Sequence, residues 1–406
     1  MSSKPIWDAA EKAIVAGDVA TLDRLLRAHA AVFREQVPQS SWLGGLTPDY
    51  SSADARTILV KEHRFASYDE LTRHLGALRQ TDSAVAIFEA GVDAVTGGDA
   101  AKLQQLLQNN PTLVRGRSSR IHHATLLHYV GANGVESWRQ KTPANAVEIA
   151  NLLLDAGAEV DAMADMYGGS TTLGLVATSI HPLQAGVQNA LIEALLGRGA
   201  ATDHAQAAGN RQGVVNGCLA NGRPGAAEYL AERGARLDLE GAAGVGRIGV
   251  VKEFFREDGQ LKSGATREQA QSGLQWACQY GRTAVAEFLL ERGLDGGELH
   301  RGQTALHWAA YGGHADIVKA LLRHGPAVDL RDEAFGNTPL GWALYGWTHP
   351  PIEGTSGRFY EVVAALTAAG ATVEPQNLPT AKVAADPKMA AALRYEAPTD
   401  VPSPDK

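Results

Sequence analysis

The side chains that most often carry out chemistry in proteins are present here, but not in the spacings that chemistry requires. The chain has 13 histidines, and the adjacent pair His122 and His123 cannot both face one site from an extended strand. No candidate pair has the spacing of metal ligands on a helix. The sequence contains no Gly-x-Ser-x-Gly, phosphate-loop or His-Glu-x-x-His motif. We therefore expect no metal and no cofactor, and we assign no catalytic residue.

Aromatic residues, in contrast, recur at a fixed spacing. Trp276, Trp308 and Trp342 lie 32 and 34 residues apart within three similar segments. Tyr311 and Tyr345 follow the last two tryptophans by three residues, so each pair shares one side of a helix. Trp and Tyr are the residue types enriched in binding hot spots. The spacing therefore predicts a surface lined with rings, and simple packing of these rings is the alternative.

Pairs of short helices must position these rings. The first two tryptophan segments are each followed by an apolar stretch with 3.6-residue spacing that ends at a glycine. Thr304 and Thr338 precede two of the helices as N-caps, and Pro339 occupies a first helical position. In the third segment an insertion delays the second helix to Phe359. Helix, turn, helix and glycine form one repeating unit of 32 to 34 residues.

The segment from Gly302 to Gly325, GQTALHWAAYGGHADIVKALLRHG, is very similar to the ankyrin repeat consensus. Weaker matches begin at Thr125, Thr172 and Val215. The resemblance implies an all-α fold, an ankyrin-repeat solenoid of stacked helix-turn-helix units with short hairpin fingers. It also implies that His128 and His307 are structural, with each ring hydrogen-bonded to the backbone of the adjacent loop.

Proteins of this family bind along a concave face, and the resemblance implies that the residue after the motif histidine points into that groove. Two insertions, 134–143 and 347–357, would hang over it, because long excursions in a short-turn architecture are usually functional. The ligand-binding residues that we expect are Tyr129, Trp138, Tyr167, Trp276, Trp308, Tyr311, Trp342, Tyr345, Trp347 and His349. Polar groups that could face the same recess are His122, His123, Asp165, Asn133, Asn216, His300 and Glu353.

The predicted organisation has three parts. Residues 1–89 form a helical N-terminal cap of atypical repeats, 90–373 form the repeat solenoid, and 374–406 hold a capping helix and a disordered tail. Ser67 opens a helix in the cap as part of a capping box, and residues 37–53 are expected to form a loop. A short helix is expected near Lys388 to Arg394.

Composition excludes several classes of protein. With 37 Lys plus Arg against 45 Asp plus Glu, the net charge of -8 argues against binding to nucleic acid through phosphate attraction. No apolar run reaches the length of a membrane span or a signal peptide, so we expect a cytoplasmic protein that does not bind membranes. Cys218 and Cys278 fall in different repeats and are expected to be buried thiols that form no disulfide.

Two functions remain open. The first is a binding protein that holds a protein partner in the aromatic groove. The second is an enzyme or receptor on the same scaffold, acting on a sugar-like or planar small molecule stacked on the rings. The sequence does not decide whether the protein is an enzyme.

Overall fold

The computed structural model describes residues 4–15, 18–29, 55–202, 213–351, 357–374 and 378–394. The predicted loop at 37–53, residue Glu353 and the predicted disordered end lie outside these ranges. Contacts between Cα atoms divide the chain into unit 1, Met1–Val214, and unit 2, Val215–Lys406. The division falls within the predicted solenoid 90–373, and the three predicted parts remain a prediction.

The regular elements of the described part of unit 1 are all helices. Three 3-10 helices, Pro111–Arg115, Leu126–Gly131 and Ser137–Arg139, connect longer elements. The α-helices are α1 (Lys4–Val15), α2 (Val19–Ala28), α3 (Ala55–Glu62), α4 (Tyr68–Leu78), α5 (Ala84–Gly97), α6 (Ala100–Asn109), α7 (Ala146–Asp155), α8 (Thr172–Thr178), α9 (Ile180–Gln184) and α10 (Gln188–Gly197). The predicted cap at Ser67 is present, because its side chain accepts a hydrogen bond from Glu70 N.

Unit 2 repeats one motif of two packed helices. Its α-helices are α11 (Val214–Ala220), α12 (Pro224–Glu232), α13 (Leu239–Gly244), α14 (Ile248–Glu253), α15 (Arg267–Gln279), α16 (Thr283–Glu291), α17 (Ala305–Tyr311), α18 (Ala315–Arg323), α19 (Pro339–Thr348), α20 (Phe359–Ala368), α21 (Thr380–Ala385) and α22 (Pro387–Leu393). The last helix lies where a short helix was predicted. The described residues contain isolated bridges but no β-strand, so the all-α prediction is confirmed.

Stacking of these helix pairs builds the core of unit 2. Helices α13, α15, α17 and α19 pack in succession and form the inner row, while α16, α18 and α20 form the outer row. Ala277, Ala310 and Ala343 are fully buried between neighbours, because small side chains let adjacent helices approach closely. Cys218 and Cys278 are buried free thiols, as predicted, and burial raises the pKa of Cys278.

The motif histidines fasten each helix start to the next loop. His307 Nδ1 accepts a hydrogen bond from Thr304 N (3.2 Å), and its Nε2 donates to Asn337 O (3.0 Å). His128 makes the same pair of contacts with Thr125 N and Ala162 O. Burial lowers the pKa of His128 to about 4, so its ring is neutral and both nitrogens are satisfied. The prediction that both histidines are structural is confirmed by this geometry.

None of the described helices combines the length and apolar character needed to cross a lipid bilayer.

Candidate functional site

Helices α17 and α19 of unit 2 bring a set of rings to one surface. Trp308 and Tyr311 come from α17, while Trp342 and Tyr345 come from α19, in each case three residues apart. His349 follows as the C-cap of α19. Residues three or four apart on a helix lie on the same side, so neighbouring helices place these rings side by side. We call Trp308, Tyr311, Trp342, Tyr345 and His349 the aromatic face.

Two kinds of ring contact hold the aromatic face together. Trp342 meets Trp308 and Tyr311 edge to face, with ring centroids 5.0 Å and 6.0 Å apart and interplanar angles of 82° and 83°. Tyr345 lies nearly parallel to Tyr311 at 6.3 Å and to His349 at 4.6 Å. Such arrangements contribute stabilisation beyond area burial. Trp308 and Trp342 therefore form a packed pair, and Tyr311, Tyr345 and His349 form an open row of three rings beside it.

Neighbouring helix axes lie about 10 Å apart, but the tryptophan rings of this face are not spaced as the helix axes are. The indoles of Trp308 and Trp342 touch at 5.0 Å, and Trp276 is only 8% exposed. Helix axes fix the positions of Cα atoms, but a long side chain can lean toward its neighbour. Trp342 leans because its Nε1 donates to Asp332 Oδ2 at 3.0 Å.

An open cavity of about 390 Å³ borders the row of rings. Tyr311, Tyr345, His349 and Gln279 line it together with Pro350. Within the described part of the chain, the hydroxyls of Tyr311 and Tyr345 and the carboxamide of Gln279 make no hydrogen bond to protein. Burial, and then the neighbouring Tyr345, raise the pKa of Tyr311, so its hydroxyl keeps its proton at neutral pH. The cavity wall can therefore contact an apolar group and also offer hydrogen bonds.

Two further aromatic residues flank the face. Trp347, which the sequence predicted, is half-buried against the core of unit 2. Phe335, which the sequence analysis missed, is 74% exposed and has its ring 6.5 Å from that of Trp342. The signal for Phe335 was a large apolar residue within the polar segment RDEAFGN.

Three predicted ligand-binding residues lie in unit 1, and one of them is enclosed. Tyr129 is 1% exposed, with its hydroxyl 3.3 Å from Glu136 Oε1. The expectation that it lines an open face is wrong because the helix Leu126–Gly131 is a 3-10 helix, which turns each residue further than an α-helix does. Trp138 is 37% exposed and packs on His63, while Tyr167 is 52% exposed and donates to Asn133 Oδ1 at 2.8 Å.

Unit 1 also contains a buried group of charges that the sequence analysis missed. Glu89, Arg120, His122, Glu136 and Arg139, which we call the ionic cluster, are all at most 7% exposed. Arg120 pairs with both glutamates, and Arg139 Nη1 lies 2.6 Å from Glu89. His122 Nε2 is 3.6 Å from Glu136 Oε1. A glutamate inside the largely apolar sequence of α5 was the available signal.

The charges of the ionic cluster set one another's protonation. Burial opposes ionisation of Glu136, but Arg120 and then His122 outweigh it and hold its pKa well below the usual range. The two buried histidines nearby stay neutral: burial, reinforced by Arg120, lowers the pKa of His63 to about 3 and of His74 to about 4. Glu136 Oε2 and His63 Nδ1 have no hydrogen-bond partner among the described residues. The cluster is a closed set of opposite charges with a few enclosed, unsatisfied atoms.

The adjacent histidines point in opposite directions, as the sequence predicted. His122 is buried beside Glu136, whereas the exposed His123 places its Nδ1 2.7 Å from Asp165 Oδ2. Of the residues that the structure describes, no three His, Cys, Asp or Glu side chains are arranged to hold a metal ion.

Comparison with known proteins gives a match at the level of the repeats. A family model described as ankyrin repeats (3 copies) matches residues 239–332 and 274–376. E3 ubiquitin-protein ligase hecd-1 of Caenorhabditis elegans is 37% identical over 84 residues, and E3 ubiquitin-protein ligase Ufd4 of Drosophila melanogaster is 38% identical over 86. Palmitoyltransferase AKR1 of Lachancea kluyveri is 38% identical over 93 residues.

These matches cover only part of each protein. Each relative matches 21% of this chain, and the matched part is 3% of each ligase and 12% of the palmitoyltransferase. Among solved structures, the human ASB11 ankyrin repeat domain is 20% identical, with a TM-score of 0.35, over 70% of this chain and 99% of that one.

Proposed function

We propose, from the premise that this chain is an ankyrin repeat protein, that it binds a protein partner through the aromatic face of unit 2. Ankyrin repeats are generally protein-interaction modules. The observation that carries the proposal is the open row of Tyr311, Tyr345 and His349, whose rings stack while the tyrosine hydroxyls bind no other part of the described chain.

Exposure of the row supports the same conclusion. Tyr345 is 58% exposed although its ring stacks with those of Tyr311 and His349, and Phe335 extends the apolar surface. Large apolar residues gathered at one surface and rimmed by polar groups are typical of interaction sites. Tyrosine loses little conformational freedom on binding and has both an apolar ring and a polar tip, which suits it as an anchor.

The partner's matching surface follows from this chemistry. Its centre should present an apolar or planar side chain against Tyr345, and backbone carbonyls or polar groups within reach of Gln279 and Tyr311. Trp308 and Trp342 support the row from below, since their edge-to-face contact is partly buried. Trp276, at 8% exposure, offers little surface for direct contact.

Photo-crosslinking tests the proposal directly. A benzophenone amino acid at position 345 should cross-link one protein reproducibly, whereas the same group at position 360 should not. Tyr360 is a matched control, because it is a 37% exposed tyrosine of α20, outside the aromatic face. Equal cross-linking from both positions, or from position 360 alone, would exclude the aromatic face as the binding surface.

A small-molecule ligand is a second candidate, supported by the cavity of about 390 Å³ beside the rings. Cavities that hold small molecules in proteins are about 300–1,000 Å³ and combine apolar walls with a few polar groups. An enzyme or receptor function on this scaffold would require such a ligand. Saturable binding of a planar or sugar-like compound to the purified chain, lost in Tyr345→Ala, would favour this candidate over the protein partner.

A further inference from the structure

A second cleft lies in unit 1, and of the polar groups predicted to face a ligand it is lined by His123. It has a volume of about 500 Å³ and runs between α4 and the segment 119–123. Arg73 and His74 of α4 form one wall, and Ser119 and His123 form the other. This volume is in the range of small-molecule sites. The cleft therefore has room for a ligand of modest size.

Among the described residues that line the cleft, Arg73 is the one arginine or lysine and Glu70 is the one carboxylate. Arg73 is exposed and makes no ion pair or hydrogen bond with any residue that the structure describes. The nearby carboxylate of Glu70 instead accepts a hydrogen bond from Ala66 N at 3.2 Å. An unpaired guanidinium presents a planar fork of donors that matches a carboxylate group. Of these two charged groups of the cleft, only the Arg73 guanidinium has no partner among the described residues.

The opposite wall is fixed by contacts that leave groups available to a ligand. Asp165 orients the ring of His123 through Nδ1 at 2.7 Å, and Arg117 holds the His123 carbonyl at 2.9 Å. His74 Nδ1 is 2.8 Å from Ser119 Oγ, while its Nε2, in a side chain 4% exposed, has no hydrogen-bond partner. The His123 ring is thus held by Asp165, and Ser119 is held by a hydrogen bond to His74 on the other wall of the cleft.

Backbone strain is concentrated beside this wall. His123 and Arg64 have φ angles of +47° and +59°, which non-glycine residues rarely adopt. The two are joined through the turn 120–123, because Ile121 N donates to Arg64 O at 2.8 Å. Strained residues of this kind gather at functional sites. The strain places the His123 ring and the Ile121 side chain at the rim of the cleft.

We propose that this cleft binds a small organic carboxylate, with Arg73 holding the carboxylate group. Val85 and Ile121 line the cleft and contact the apolar part of the ligand, and Ile121 is 44% exposed. Ser119 and His123 offer hydrogen bonds to the second carboxylate oxygen. The proposal is independent of the partner-binding function of unit 2.

Titrations of the full chain with butyrate, acetate and inorganic phosphate, followed in protein-detected 1H–15N NMR spectra, test the assignment. Butyrate should bind about tenfold more tightly than acetate, because two more methylenes leave water. Arg73→Gln should weaken butyrate binding about tenfold through loss of a charge-assisted contact. Ile121→Ala should reduce the preference for butyrate over acetate. Arg256→Gln is the control, since it removes one exposed charge from unit 2.

Three results would overturn the proposal. The first is the absence of saturable butyrate binding to the wild-type chain. The second is phosphate binding that is tighter than butyrate binding and equally dependent on Arg73. The third is an equal loss of affinity in Arg256→Gln, which would show that net charge and not the cleft attracts the anion. Arg73 is exposed, so its substitution leaves folding intact, and a thermal melt of each variant checks this.

Discussion

The ionic cluster of unit 1 joins α5 to the segment 120–139, whereas the aromatic face of unit 2 lies on α17 and α19, and the two use their side chains in opposite ways. In the ionic cluster, Arg120 and Arg139 are already paired with Glu89 and Glu136, and solvent does not reach the unsatisfied atoms. In the aromatic face the rings pack on one another but Tyr345 remains 58% exposed.

The difference separates residues that maintain the fold from residues that are available for binding. Buried charged side chains are frequent candidates for a functional site. When they are already paired with one another and enclosed, however, no charged group remains to bind a partner. The aromatic face has unbonded hydroxyls and an adjacent cavity of about 390 Å³. The candidate binding surface is therefore distinguished by exposed side chains without hydrogen-bond partners, and not by the number of charged groups that it contains.

The largest effect should follow from breaking the ionic cluster. Glu136→Gln leaves two buried arginines, Arg120 and Arg139, with Glu89 as their one remaining buried counter-charge, because Glu136 is 0% exposed. Removing one member of a buried pair costs about 3–5 kcal/mol of unfolding free energy. Chemical denaturation measures this cost. Asp155→Asn, which breaks the exposed pair with Arg198, is the matched control and should change little. Equal stability of Glu136→Gln and wild type would show that the cluster is not structural.

Acid should destabilise unit 1 for the same reason. The folded-state pKa values of His63 (about 3) and His74 (about 4) lie below the usual 6.5, so below pH 6.5 the unfolded chain binds protons that the folded chain does not. Stability from these groups is complete above pH 6.5 and is lost as pH falls toward 4. The lowered pKa of Glu136 acts in the same direction below pH 4.5.

The loss between pH 6.5 and 4 should be on the order of a few kcal/mol. Hydrogen exchange measured at pH 7 and pH 5, corrected for intrinsic rates, resolves it by segment. Residues 59–75 and 120–140 should lose protection first, whereas 305–345 should change less, since His307 is the one fully buried histidine of that segment. If residues 305–345 lost protection before residues 59–75 and 120–140, the expected acid sensitivity of unit 1 would be contradicted.

Substitutions within the aromatic face should have different effects on stability at the half-buried Trp308 and at the exposed Tyr345. Trp308→Ala should cost about 2 kcal/mol of unfolding free energy, because this half-buried ring packs on the core of unit 2 and on Trp342. Tyr345→Ala should change stability by less than about 0.5 kcal/mol, as at other exposed positions. Thermal or denaturant unfolding of both variants checks this order. Equal destabilisation would mean that Tyr345 is also a packing residue.

Sequence predicted the parts of the structure that depend on local spacing. The repeat near Trp308 specified its helices, its cap at Thr304 and the role of His307, since each depends on residues a few positions apart. The grouping of Trp308, Tyr311, Trp342 and Tyr345 followed from the repeat period. The repeat period did not predict the direction in which the Trp342 ring tilts, because that direction depends on its hydrogen bond to Asp332.

The ionic cluster was not predictable by the same reasoning. Arg120 and Arg139 lie 31 and 50 residues from Glu89, and no repeat period relates these positions. The 3-10 geometry of Leu126–Gly131 also broke the register that would have placed Tyr129 on an open surface. Long-range charge pairing and a change of helix type are both set by tertiary packing, which spacing along the chain does not encode.

The affinity of the partner for variants of position 345 is the most direct test of the aromatic face. The protein cross-linked through position 345 is purified, and its dissociation constant is measured for wild type, Tyr345→Ala and the control Tyr360→Ala. Loss of an interface hot spot weakens binding by about thirtyfold or more, so Tyr345→Ala should show such a loss and Tyr360→Ala should match wild type. Equal dissociation constants for wild type and Tyr345→Ala would contradict the aromatic face as the binding surface.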